Sequence, residues 1–189
     1  MSRLHVLAAQ PRLALGALLT LLLAAGAVAG SGADFTASSA NPANTFASGT
    51  LSIDNSKEGV AVLTASGLKP AGAAATGTVD IENSGDLDGT FSLAPTTPVD
   101  SDAVNPLSAK LNLTVVDCGV YVGPTAPTCG NGDDTELYDG ALSAMGSTAL
   151  GSYAGSDKHR YEFTVALDGS AGNAYQGDSS QVQFDFNAV

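Results

Sequence analysis

The chain has no tryptophan, two histidines, two cysteines, and seven lysines and arginines against 19 aspartates and glutamates. Each scarcity removes a class of function. His5 lies in the N-terminal leader, so His159 is the only histidine in the rest of the chain. A zinc hydrolase gathers two or three His or acidic ligands around an open coordination position, and H-E-x-x-H is absent. G-x-S-x-G is absent too, so a Ser-His-Asp triad would rest on His159 without a supporting motif. Within Asp157-Lys158-His159-Arg160, that histidine reads as a solvated side chain entering a strand. The glycines form no G-x-x-x-x-G-K-S/T phosphate loop. The expectation is a protein that is not an enzyme and has no catalytic residues.

The shortage of basic residues excludes other partners. After position 29 only Lys57, Lys69, Lys110, Lys158 and Arg160 remain against the 19 acids, a net charge of −14. Such a surface repels nucleic acid and anionic membranes. The acids are scattered along the chain and read as solvated faces. The two cysteines, Cys118 and Cys129, lack C-x-x-C spacing and a neighbouring histidine, which argues against a metal site. An even count in an exported chain suggests one disulfide closing a short loop. No L-P-x-T-G tail precedes Val189, so covalent wall anchoring is not expected.

What is present begins with a leader. Arg3, His5 and Arg12 form a basic region, Leu13 to Ala29 are uncharged and apolar, and Ala27-Val28-Ala29 has the small-x-small form of a signal-peptidase site. The expected boundaries are a signal peptide over 1–29 with cleavage between Ala29 and Gly30, an N-terminal segment over 30–47, and one domain over 48–189. The expected product is extracellular or cell-surface, with signal peptidase as a transient partner and no membrane contact after cleavage. The 160 residues after Ala29 have the length of a single ordinary domain.

Although Gly, Ala, Ser and Thr are abundant, short runs of Val, Ile, Leu and Phe alternate with polar residues, and only 14% of residues are charged. That pattern fits a folded β domain better than a disordered chain. Strands are expected over 50–54, 60–65, 76–82, 89–94, 109–116, 161–167 and 182–186. Strict alternation buries one face and wets the other. The fold class is therefore all-β, an antiparallel sandwich that includes jelly-roll forms. At most one short helix is expected, over 134–145, where Leu137, Leu142 and Met145 recur near helical spacing around an unfavourable Gly140. Residues 33–38 alternate through Ala33, Phe35 and Ala37 but have no hairpin partner directly after them.

Three further stretches stand out. The first is Asn44-Thr45-Phe46-Ala47-Ser48-Gly49-Thr50-Leu51. The second is Gly67-Leu68-Lys69-Pro70-Ala71-Gly72, followed by Ile81-Glu82-Asn83-Ser84-Gly85-Asp86-Leu87. The third is Ala174-Tyr175-Gln176-Gly177-Asp178-Ser179, followed by Val182-Gln183-Phe184-Asp185-Phe186-Asn187-Ala188. In their order and spacing these stretches resemble the TasA/camelysin (CalY) family of secreted biofilm-fibre and spore-coat-associated proteins, while residues 95–160 carry no motif of the family. Read physically, Gly49 and Gly67 stand at turns into strands, Leu68 plugs one end of a sandwich, Pro70 stops ladder pairing, and Asn83 and Gly85 form a turn. Phe184 and Phe186 read as core or groove residues. The resemblance implies a jelly-roll-like subunit whose N-terminal strand, anchored by Phe35, leaves its own domain and completes the sheet of a neighbour. The implied partner is the protein itself, as a homopolymer, or a related fibre subunit. The family also carries a metalloprotease label, against which the histidine count argues.

One alternative belongs to a different class. Asp133, Asp134, Glu136 and Asp139 surround a glycine-rich loop and offer oxygen ligands suited to calcium, though not with EF-hand spacing. That reading makes the chain a calcium-stabilised adhesin or matrix-binding module. No other cofactor is expected.

Overall fold

The computed structural model describes residues 15–20 and 48–189. The chain divides into two units, Met1–Phe46 and Ala47–Val189. Residues 15–20 of the first are helical. The Ala29/Gly30 boundary, the Ala33-Phe35-Ala37 strand and Phe46 lie outside the described residues. Among the described residues no helix is long and apolar enough to cross a membrane.

The second unit is an antiparallel β-sandwich. Its strands are β1 (Ile53–Asn55), β2 (Ala75–Asn83), β3 (Gly89–Pro95), β4 (Val99–Asp100), β5 (Leu111–Tyr121), β6 (Thr135–Ala141), β7 (Thr148–Tyr153), β8 (Lys158–Leu167), β9 (Ser180–Gln181) and β10 (Phe184–Ala188). One sheet has the order β1-β2-β8-β5-β6 and the facing sheet β10-β3-β7, while β4 and β9 form a small ladder apart. The period-two pattern explains this layering. Val79 and Ile81 on β2, Phe91 and Leu93 on β3, Leu113 and Val115 on β5, and Tyr161 and Phe163 on β8 are all buried between the sheets. Burying each such side chain contributes about 1.5–3 kcal/mol. The alternate positions carry the polar residues. On β2 and β8 they form ion pairs across the register: Arg160 grips both oxygens of Asp80 at 2.8 and 2.9 Å, and Lys158 lies 2.6 Å from Glu82.

Three expectations are corrected. The 134–145 stretch is not helical. Residues 135–141 form strand β6 beside β5, and the helical-looking spacing of Leu142 and Met145 belongs to one 3₁₀ turn, Leu142–Ala144, whose cap residue Met145 is buried with Leu142. The 60–65 run forms no ladder among the described residues, despite its apolar content. Third, His159 is not a solvated residue. It shares the inward parity of Tyr161 and Phe163, stacks on Tyr153 with ring centroids 4.2 Å apart, and its Nδ1 lies 2.9 Å from Asp117 Oδ2. Strand β7 had no counterpart in the expected set, because Gly151 and the small residues around it weaken its alternation.

Candidate assembly groove

The two sheets meet differently at their two sides. On one side the chain passes from β6 through the Leu142–Ala144 turn into β7, so the edges of both sheets are joined by continuous chain. On the other side stand β1, which pairs only with β2, and β10, which pairs only with β3, among the described residues. Between them lies an open seam. Its upper part has a volume of about 700 Å³ and is lined by Ile53, Asn55, residues 57–63 and residues 182–186. It continues into a cleft of about 1050 Å³ walled by Leu63–Pro70 and by residues 171–173 and 175–183, with Leu107, Leu111, Leu142, Val165 and Leu167 as its apolar floor.

The hydrogen bonds of β10 define what this seam presents. Thr90 and Val189 exchange both backbone bonds, at 2.8 and 3.1 Å, and Thr96 N–H donates to the Gln183 carbonyl at 2.8 Å. In an antiparallel ladder such pairs recur every second residue. Gln183, Asp185, Asn187 and Val189 therefore turn their backbone groups toward β3. Phe184, Phe186 and Ala188 turn theirs toward the seam, and no other strand of the described residues meets them. The side chains of these three, with Val182, pack against the core. Phe184 lies against Phe163 with centroids 4.9 Å apart. An edge strand with inward aromatics and an unpaired outer ladder is a template for a further strand.

The motif residues named from the sequence gather at two places. Leu68, Lys69, Pro70, Tyr175, Gln176 and Gly177 all line the cleft, and Phe184 and Phe186 line the seam above it. Leu68 packs onto the core from this side, and the Ala71 amide after Pro70 donates to Leu167 at 3.2 Å. The second cluster lies at the β2–β3 turn. Asn83 is fully buried, donates from Nδ2 to the Leu87 and Tyr153 carbonyls at 2.7 and 3.3 Å, and accepts from the Gly85 amide at 3.1 Å. A Cβ on Gly85 would stand 2.2 Å from the Thr50 carbonyl, so glycine lets the 50–52 segment close over the turn. Gly49 contacts Leu87, and Leu51 covers Gly89. Asp86 accepts hydrogen bonds from the Thr50 amide and hydroxyl, which hold its carboxyl below the usual carboxylate range.

Cys118 and Cys129 are joined in a disulfide with Cα atoms 4.8 Å apart, closing the loop between β5 and β6. The four calcium candidates are dispersed. The Asp134 carboxylate accepts from the Gly130 amide, the Asp133 amide donates to Asn131 Oδ1, Thr114 Oγ1 donates to Asp139, and Glu136 is exposed on β6. No group of three His, Cys, Asp or Glu side chains is gathered for a metal among the described residues.

Burial works against the charge of Asp80, but the Arg160 guanidinium and the Lys158 charge hold its carboxyl below the ordinary value. Asp100 follows the same pattern. Its partial burial is outweighed by hydrogen bonds from the Ser108 amide and hydroxyl at 2.8 and 2.7 Å, which tie β4 to the turn before β5. Tyr153 is pushed far above the phenol range, first by burial and then by the nearby Asp117 charge. Its hydroxyl is hydrogen-bonded to that of Tyr161. None of these groups lines the cleft, whose walls hold a single acid, Asp178, and no histidine or cysteine. No family model and no curated protein matches this chain.

Proposed function

We propose that this chain is an exported structural subunit of an extracellular fibre, matrix or coat of the TasA/camelysin kind, assembled by donation of residues 33–38 into the seam of the next copy. One observation carries the reading: β10 turns the backbone of Phe184 and Phe186 away from β3, and both residues line an opening shared with Ile53, Val62 and Leu63. A strand hydrogen-bonded to that edge places residues opposite Phe184 and Phe186 on the core face. The alternation of Ala33, Phe35 and Ala37 suits this face, with Asp34 and Thr36 outward. Phe35 is then the anchor between two small neighbours.

A donor from one copy and an acceptor on the next make a head-to-tail contact that does not close, and such contacts propagate into filaments. The test compares protein beginning at Gly30 with protein beginning at Ser39, both imaged by electron microscopy after concentration. The proposal expects filaments from the first only, and equal filament formation by both refutes it.

A further inference from the structure

We infer that the groove holds its occupant by both edges, with residues 61–65 as a second wall that becomes a strand only when the donor is bound. This rests on the strand-donation reading above and adds a part to the receiving site.

Residues 61–63 face Val182, Gln183 and the start of β10 across the same space. From Ala61 to Ala65 no backbone N–H or C=O has a hydrogen-bond partner among the described residues, the last bond before this stretch being Val60 N–H to the Lys57 carbonyl at 3.0 Å. The stretch is nevertheless held in place. Val62 and Leu63 pack onto the core, and the Val62 carbonyl lies where a Cβ on Gly77 would stand, at 2.1 Å. Glycine at position 77 therefore lets the backbone of Val62 and Leu63 lie against the inner face of β2. Val62 and Leu63 are half-buried, while Ala61, Thr64 and Ala65 are exposed. Two rows of backbone groups that no described strand pairs thus border one space, one on 61–65 and one on β10.

The ligand class that answers two facing rows is an extended peptide. A helix satisfies its own backbone, and a small molecule offers no row of alternating donors and acceptors. Residues 33–38 of a second copy, lying between the rows, extend the sheet β7-β3-β10 by the donor and then by residues 61–65. The apolar Val-Ala-Val-Leu-Thr run, which reads as a strand in the sequence, then has the ladder that the described residues do not give it.

The test is residue-resolved amide hydrogen exchange on dilute protein beginning at Gly30, alone and with excess synthetic peptide spanning residues 31–40. The inference expects exchange to slow by about tenfold or more at Phe184, Phe186 and Ala188, and at alternate amides of 61–65, the signature of a ladder. A peptide carrying Phe35→Asp should slow neither row. Protection of β10 without 61–65 overturns the second wall and leaves strand donation standing. Protection of neither row overturns both.

Discussion

Asn83 shows how one side chain fixes a corner of this molecule. It is fully buried, yet three hydrogen bonds engage its amide, to Leu87, Tyr153 and Gly85. The penalty for removing such a residue comes mainly from the partners left without water or protein, at about 1–3 kcal/mol per buried group. Asn83→Ala should therefore destabilise the domain by about 2–4 kcal/mol in urea unfolding at neutral pH, without changing the strands. A loss within experimental error would mean that the amide network is not structural. The sequence marks Asn83 and Gly85 as turn formers, but not the depth of Asn83. Turn chemistry is local, whereas burial depends on Tyr153, 70 residues away. Counting back by twos from Phe163 and Tyr161 places His159 on the inner face. Its Asp117 partner comes from β5, and no local pattern announces it.

Asp80 and Arg160 illustrate the energetics of neighbouring strands. Their bidentate pair spans β2 and β8, and it holds the Asp80 carboxyl below its unfolded value. A group lowered on folding adds stability above its unfolded pKa, and that contribution is lost as pH falls through the folded value. Wild type should thus exceed Asp80→Asn in unfolding free energy at neutral pH, and the difference should shrink as pH falls below about 4. A gap that stays constant down to about pH 2 would contradict this account of the pair. At the β5–β6 connection the disulfide closes a short loop with a sequence separation of 11. Replacing both cysteines by serine should cost about 2–3 kcal/mol in thermal or urea unfolding and leave the sheet order intact.

Most strands were legible at this scale because period two is strong in β2, β3, β5 and β8. The exceptions share a physical cause. Residues 135–145 combine a bulged edge strand with a 3₁₀ turn, and their superposed periods imitate a helix. Residues 60–65 have the composition of a strand, but a strand exists only with a partner, and no described strand pairs with them. The candidate groove was legible in part: Leu68, Tyr175, Phe184 and Phe186 were singled out by resemblance and alternation. That they line one seam depends on the crossing of the chain between sheets, which no local signal encodes.

As a whole, the domain is a sandwich joined along one side by its own chain, and along the other an edge strand presents inward aromatics and peptide groups that no described strand pairs. The net charge of −14 after position 29 opposes unspecific association of copies, while backbone pairing acts at short range and tolerates it. Assembly should therefore respond to the anchor more than to ionic strength, and Phe35→Asp should abolish filaments with little effect on the melting temperature of the single subunit. The most direct measurement is a near-atomic image of the assembled filament formed by protein beginning at Gly30. The account predicts residues 33–38 of one copy extended along Phe184–Ala188 of the next, with the Phe35 ring between the sheets. A filament whose β10 edge is empty, or is covered by the same copy's own chain, would contradict it.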